Sequence, residues 1–257
     1  MSLAEIGMLI VIGIGGGILT ALVGGASLLT YPGLVAMGLA PLPAAIINLV
    51  ALTPANIWAA WLDRRELPRP SLPLFLLIIV SISGGIAGAW LLLRTSPGVF
   101  TALVPLFLAL STLLFAYAGR LTHWIERRSV GAEAAAANRW QVVTLAMVPV
   151  AIYGGYFGAG AGVMLLAILM IVSDGDYRRA NAIKNVVSGL NGLVASIVFV
   201  AQGAVAWTPV VVMTVGGLIG AVIGIRIVRL VAREIMRRAV IAISGLLTLM
   251  FAWKYWL

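Results

Sequence analysis

Apolar residues in this chain come in long, nearly unbroken runs, not in the one-sided stripes of a soluble helix or the alternation of a half-buried strand. Ten such runs can be drawn, at 3–23, 26–39, 42–62, 72–93, 99–118, 141–157, 161–172, 180–201, 208–228 and 239–256. Most approach the ~20 residues that a helix needs to cross a ~30 Å hydrocarbon core. A helix satisfies its backbone groups internally, whereas a membrane β-barrel would show short segments of alternating hydrophobicity. The pattern therefore predicts an all-α, polytopic helical membrane protein. The second and seventh runs are too short for a full crossing, since ~1.5 Å per residue gives them a reach of only ~20 Å. They are expected to be re-entrant or broken pieces.

The ten runs fall into two sets of five on either side of the longest polar stretch. This predicts a first transmembrane repeat at 1–118, a cytoplasmic linker at 119–139 and a second transmembrane repeat at 140–257. Blocks recur in the same order in both halves. LVGGASLLTYPG precedes AAIINLVALTPAN in the first, and GAGAGVMLLAI precedes ANAIKNVVSGLN in the second. Later, SGGIAGA at 83–89 matches VGGLIGA at 215–221. With five legs per repeat, the second copy enters the bilayer from the opposite face. That inversion puts Arg64, Arg65 and Arg69, the Arg120–Arg139 cluster, Arg178 and Arg179, and the Arg229–Arg238 cluster on one side, as the positive-inside rule requires. Only Arg94 and Lys254 fall outside. Seven tryptophans, Trp58, Trp61, Trp90, Trp140, Trp207, Trp253 and Trp256, lie near predicted segment ends, where interfacial anchors belong.

Composition agrees with a membrane solvent. The chain has 257 residues, 62% hydrophobic and 10% charged, and a mean hydropathy of +1.12. Soluble domains are typically ~45–50% apolar. The net charge of +9 would suit nucleic acid, but it tracks the loops between runs, so nucleic acid is not expected as a partner. No basic residue precedes the first run, which is therefore expected to be a mature span and not a cleaved signal. The chain has no cysteine and one histidine, His123, in the polar stretch, where no role is assigned to it. No metal, cofactor or enzyme activity is expected, because the spans lack paired carboxylates and clustered ligands.

Polar groups inside the apolar runs carry the functional signal. Asn181, Lys184, Ser188 and Asn191 fall within about 80° of one face at ~100° per residue, and Asn185 widens the arc modestly. Such a stripe is costly in hydrocarbon unless it faces protein or water, and by default it marks a solute path. Gly24 and Gly25 in one half, and Gly158, Gly160 and Gly162 in the other, permit helix breaks. Helix starts exposed there carry partial positive charge and free N–H donors, which suits an anion. Glycines can instead serve close helix packing, and Asn48, Asn56, Asn185, Ser188 and Asn191 can bridge helices as well as bind solute. Lys184 can attract an anion or snorkel to the interface. Pro54 removes the amide that would bond the Val50 carbonyl and permits a kink. The glycines at 83–88 and 216–220 are read as close-packing faces.

These blocks resemble the sulfite exporter TauE/SafE family of membrane transporters. GGASLLTYPG, IINLVALTPAN and SGGIAGA carry the pattern in the first half; FGAGAGVMLLA, ANAIKNVVSGLNG and VGGLIGAVIG carry it in the second. The resemblance covers nearly the whole chain outside 119–139. It implies export or import of small sulfur-containing or organic anions such as sulfite, a sulfonate or sulfoacetate; the expectation for this chain is export across the cell inner membrane. The candidate substrate-binding residues are Gly24, Gly25, Asn48, Asn56, Gly160, Gly162, Lys184, Asn185, Ser188 and Asn191. The expected partners are a small anionic solute and the lipid bilayer, with a homo-oligomer left open. The alternative is a non-transporting membrane-complex subunit that packs through its glycine-rich faces.

Overall fold

A computed structural model describes residues 2–22, 25–129, 136–227 and 233–256. Ten α-helices account for most of them: α1 (Leu3–Leu22), α2 (Ser27–Ala36), α3 (Pro41–Leu62), α4 (Leu72–Arg94), α5 (Pro97–Ser129), α6 (Ala136–Tyr156), α7 (Ala161–Leu169), α8 (Tyr177–Ala201), α9 (Trp207–Ile227) and α10 (Arg233–Trp256). A 3-10 turn, Asp63–Glu66, follows α3. No strand occurs among the described residues. Among the described residues, six helices, α1, α3, α4, α5, α8 and α9, are long and apolar enough to cross a membrane. The chain is a polytopic helical membrane protein.

Each apolar run becomes a helix, and punctuation sets the ends. Pro41 and Pro73 stand in the first turns of α3 and α4, where a missing N–H costs nothing. Asp176 caps α8 by accepting from the amides of Arg178 and Arg179. The two short runs give the two short helices, of ten and nine residues. One boundary differs from expectation: α5 continues through the polar stretch to Ser129, well past residue 118. Polarity ends a span but does not end a helix, so the stretch read as a linker is largely the tail of α5. The side chain of His123 lies outside the described residues.

Glycine faces decide which helices meet. A Cβ on Gly13 of α1 would run into the Met213 carbonyl of α9, and one on Gly17 into the backbone of Gly217 and Ala221. The register advances together, so α1 and α9 run parallel. On the other side, a Cβ on Gly84 would meet Ala151 and one on Gly88 would meet the Ile152 carbonyl, so α4 and α6 are parallel too. Backbones this close require the absence of side chains. Between these pairs lie α3 and α8, where Gly192 abuts Thr53, Gly189 abuts Ile57 and Asp63 reaches Asn185. That descending register makes α3 and α8 antiparallel.

The main core lies around α2, α3 and the α6–α7 turn, with Tyr31 edge-on to Phe157 at 4.9 Å and fully buried Phe100 beside both Tyr156 and Phe157. The outer surface is apolar, with residues such as Leu72, Leu145 and Leu249 exposed, as a lipid-facing surface must be. Trp58, Trp61, Trp90, Trp207 and Trp253 are exposed near helix ends.

Candidate functional site

The two glycine breaks open on one cavity of about 110 Å3. This is several times the ~10–15 Å3 that a single water needs. Its wall is drawn from both halves of the chain: Gly25, Ala26 and Ser27 at the start of α2, Asn48, Thr53 and Asn56 from α3, Gly160, Ala161 and Gly162 at the start of α7, and Lys184, Ser188 and Asn191 from α8.

The second break has a clear local cause. Gly158 and Gly160 hold φ of +76° and +77°, a left-handed conformation that side chains resist. Between them the Ala159 carbonyl is held from two directions, by the Tyr153 hydroxyl at 2.8 Å and Ser111 Oγ at 2.7 Å. The chain therefore leaves α6 and restarts as α7 facing the cavity. At that restart the amides of Ala161, Val163 and Met164 are bonded to Gly158 and Gly160 carbonyls, whereas the Gly162 amide has no hydrogen-bond partner among the described residues. A donor of that kind, at the positive end of a helix, suits an anion. At the first break, Gly25 packs against Phe115 and α2 begins two residues later. Gly24 lies outside the described residues.

Along α8 the polar stripe divides. Lys184, partly buried, is the only charged residue in the cavity wall among the described residues, and its Nζ donates to Asn181 Oδ1 at 2.9 Å. The Ser188 hydroxyl is buried there with no hydrogen-bond partner. A buried hydroxyl left unpaired is unusual and costly, which makes it a donor available to a ligand. Asn191 also lines the cavity, but its Nδ2 donates at 2.9 Å to the carbonyls of Ser81 in α4 and Ala151 in α6. With both amide hydrogens spent, Asn191 ties three helices and offers the cavity only an acceptor.

Of the residues singled out in the sequence, the cavity brings together Gly25, Asn48, Asn56, Gly160, Gly162, Lys184, Ser188 and Asn191. Asn48 is buried and bonded to Thr30 of α2, while the Asn56 side chain makes no hydrogen bond among the described residues. Asn185 is not in the wall; its amide turns to Asp63, 2.7 Å away. Thr20, Thr53, Ser81 and Gly192 also line the cavity without having been singled out. Hydroxyls such as Thr53, bonded to its own helix at Leu49, are unremarkable in a span and give no sequence signal.

Comparison with known proteins agrees with this architecture. The sequence profile of the family described as Sulfite exporter TauE/SafE matches residues 9–251. The chain belongs to the sulfite exporter TauE/SafE family. It is 24% identical over 247 residues to the "Probable membrane transporter protein YfcA" of Escherichia coli (strain K12), covering 95% of this chain and 88% of that protein. It is 21% identical over 229 residues to a "Probable membrane transporter protein" of Haemophilus influenzae, covering 89% and 87%. No solved structure matches the chain. This TauE/SafE chain is a multi-pass membrane transporter that resides in a lipid bilayer.

Proposed function

We propose that the chain moves a small oxyanion or sulfonate, such as sulfite or sulfoacetate, outward across the inner membrane, and that the cavity is its binding site. One observation carries the reading: among the described residues, Lys184 is the only charged side chain in a cavity whose wall includes the starts of two broken helices. Lysine supplies a point charge, and the helix starts and the free Ser188 hydroxyl supply directed donors. None of these requires a second buried cation. The names of the family and of its relatives point the same way.

The two halves form inverted repeats in this reading. Exchanging α1 with α6 and α4 with α9 turns the α1–α9 pair into the α6–α4 pair and returns α3–α8 to itself. An axis along the membrane normal would leave α3 and α8 parallel, whereas an axis in the membrane plane makes them antiparallel, as their register requires. Inverted repeats that meet at broken helices near mid-bilayer are a recurrent transporter design. An outward direction fits the membrane potential, which expels anions with ~2.3 kcal/mol per charge per 100 mV.

The test is a thermal-unfolding screen of the detergent-solubilised protein against sulfite, sulfoacetate, phosphate and chloride. A ligand bound to the folded form raises the midpoint with concentration. A saturable rise with sulfite or sulfoacetate, larger than with chloride, is expected. No rise with any anion, together with a partner protein that co-purifies stoichiometrically, would support a packing subunit instead.

A further inference from the structure

Asp63 follows the last residue of α3, in the first half of the chain, yet its carboxylate is bound by two side chains of α8. Its Oδ2 accepts from Asn181 Nδ2 at 3.0 Å and from Asn185 Nδ2 at 2.7 Å. Only the amide nitrogen can donate to a carboxylate, so the orientation of both asparagines is fixed. Asn181 then presents its oxygen to Lys184 Nζ, 2.9 Å away. The result is an unbroken line of contacts from carboxylate through amide to ammonium. Of its members only Lys184 touches the cavity.

Because α3 and α8 are antiparallel, the end of α3 lies beside the start of α8. The line of contacts therefore stands between the cavity and the side that carries Arg64, Arg65, Arg178 and Arg179. The opposite end of the pair lacks these groups. By the offset that aligns Asn48 with Asn185, buried Ala44 and Ile47 stand where Asn181 and Lys184 do. Gln202, which caps α8, is exposed. The two ends of the pair therefore differ: apolar residues stand at one and a charged tie at the other.

We propose that Asp63 positions Lys184 through Asn181, and that its bonds to the two asparagines hold the cavity shut toward the arginine-bearing side until an anion draws the ammonium away. The proposal rests on reading the cavity as an anion site. An anion offers Lys184 a charged acceptor in place of a neutral amide oxygen, and the charged contact is the stronger. Once Nζ turns toward it, the oxygen of the partly buried Asn181 is left unpaired, which favours reorientation of that amide and loosens the tie between α3 and α8.

The native chain has no cysteine, so a single thiol reports access to the cavity. Val150→Cys places one in the wall on α6, away from the tie. Labelling by a charged, membrane-impermeant thiol reagent from the arginine-bearing side is compared in this background with and without Asp63→Ala. Asp63→Ala is expected to raise the ligand-free labelling rate at least about tenfold, the factor implied by losing one charge-assisted bond. Asp63→Glu is expected to keep labelling slow. Sulfoacetate is expected to speed labelling of the parent but to add nothing once Asp63 is gone. If Asp63→Ala does not fold, Asn185→Ala, which removes one of the two bonds, is expected to give a smaller rise. Unchanged labelling in a folded variant that sulfoacetate still stabilises overturns the tie while leaving the anion site standing. A parent chain that labels slowly, opens on loss of Asp63 and ignores every anion instead overturns the anion site and the ligand trigger.

Discussion

Gly160 and Asn191 show two ways in which one residue fixes the cavity. At φ +77°, an alanine at Gly160 would take a left-handed conformation costing about 1–2 kcal/mol, and its Cβ would press on Ser111. Gly160→Ala is therefore expected to lower the unfolding midpoint and to weaken sulfoacetate binding together, because the start of α7 has to move. Asn191 is different, since its two donated bonds join α4, α6 and α8. At ~0.6 kcal/mol for each interhelical bond, Asn191→Ala should cost about 1 kcal/mol of stability, read by thermal denaturation in detergent. The sequence marked Asn191 and Asn185 as members of one polar stripe, and helix geometry explains where they part. Taking Asn181 as zero at ~100° per residue, Asn185 lies near +40°, and Ser188, Lys184 and Asn191 lie near −20°, −60° and −80°. The negative side faces the cavity; the residues at zero and +40° face Asp63. Nothing in the local sequence marks Asp63, which reads as one more acid at a segment edge. Its partners lie more than a hundred positions further along the chain, and only the α3–α8 pairing joins them.

Helices were the most legible feature, because hydrocarbon demands length and apolarity and both are written locally. The two short runs give short helices, and glycines stand where they start. Less legible was the reach of α5 through 119–129, since a helix that leaves the membrane keeps its hydrogen bonds while losing its apolar signature. The glycine faces were readable as packing surfaces but not as specific partners. That Gly88 faces Ile152 and Gly220 faces Ile14 depends on how the halves interleave. An added methyl at either site would strike a backbone carbonyl of the neighbouring helix. Gly88→Ala and Gly220→Ala should each destabilise by about 1–3 kcal/mol as the helices are forced apart. Gly98, with nothing within 4 Å, is the control: Gly98→Ala should hold or gain stability in the same melting assay, as alanine suits a helix better.

At the scale of the whole molecule, the proposed function has the two halves enter the bilayer from opposite faces. Single cysteines in the native cysteine-free chain test this directly. Arg65→Cys and Arg237→Cys should label from the same side of the membrane, and Arg94→Cys from the other. Labelling of residues 65 and 237 from opposite faces would remove the inverted arrangement, and with it the shared cavity. The central claim is that Lys184 meets a small anion there during transport. Flux of labelled sulfite and of a monovalent sulfonate into proteoliposomes, for the native chain and for Lys184→Gln, tests it most directly. The account predicts saturable flux of both by the native chain and a loss in Lys184→Gln that is larger for divalent sulfite than for the monovalent anion. Equal rates for both anions in a fully folded Lys184→Gln, or no saturable flux in the native chain, would contradict it.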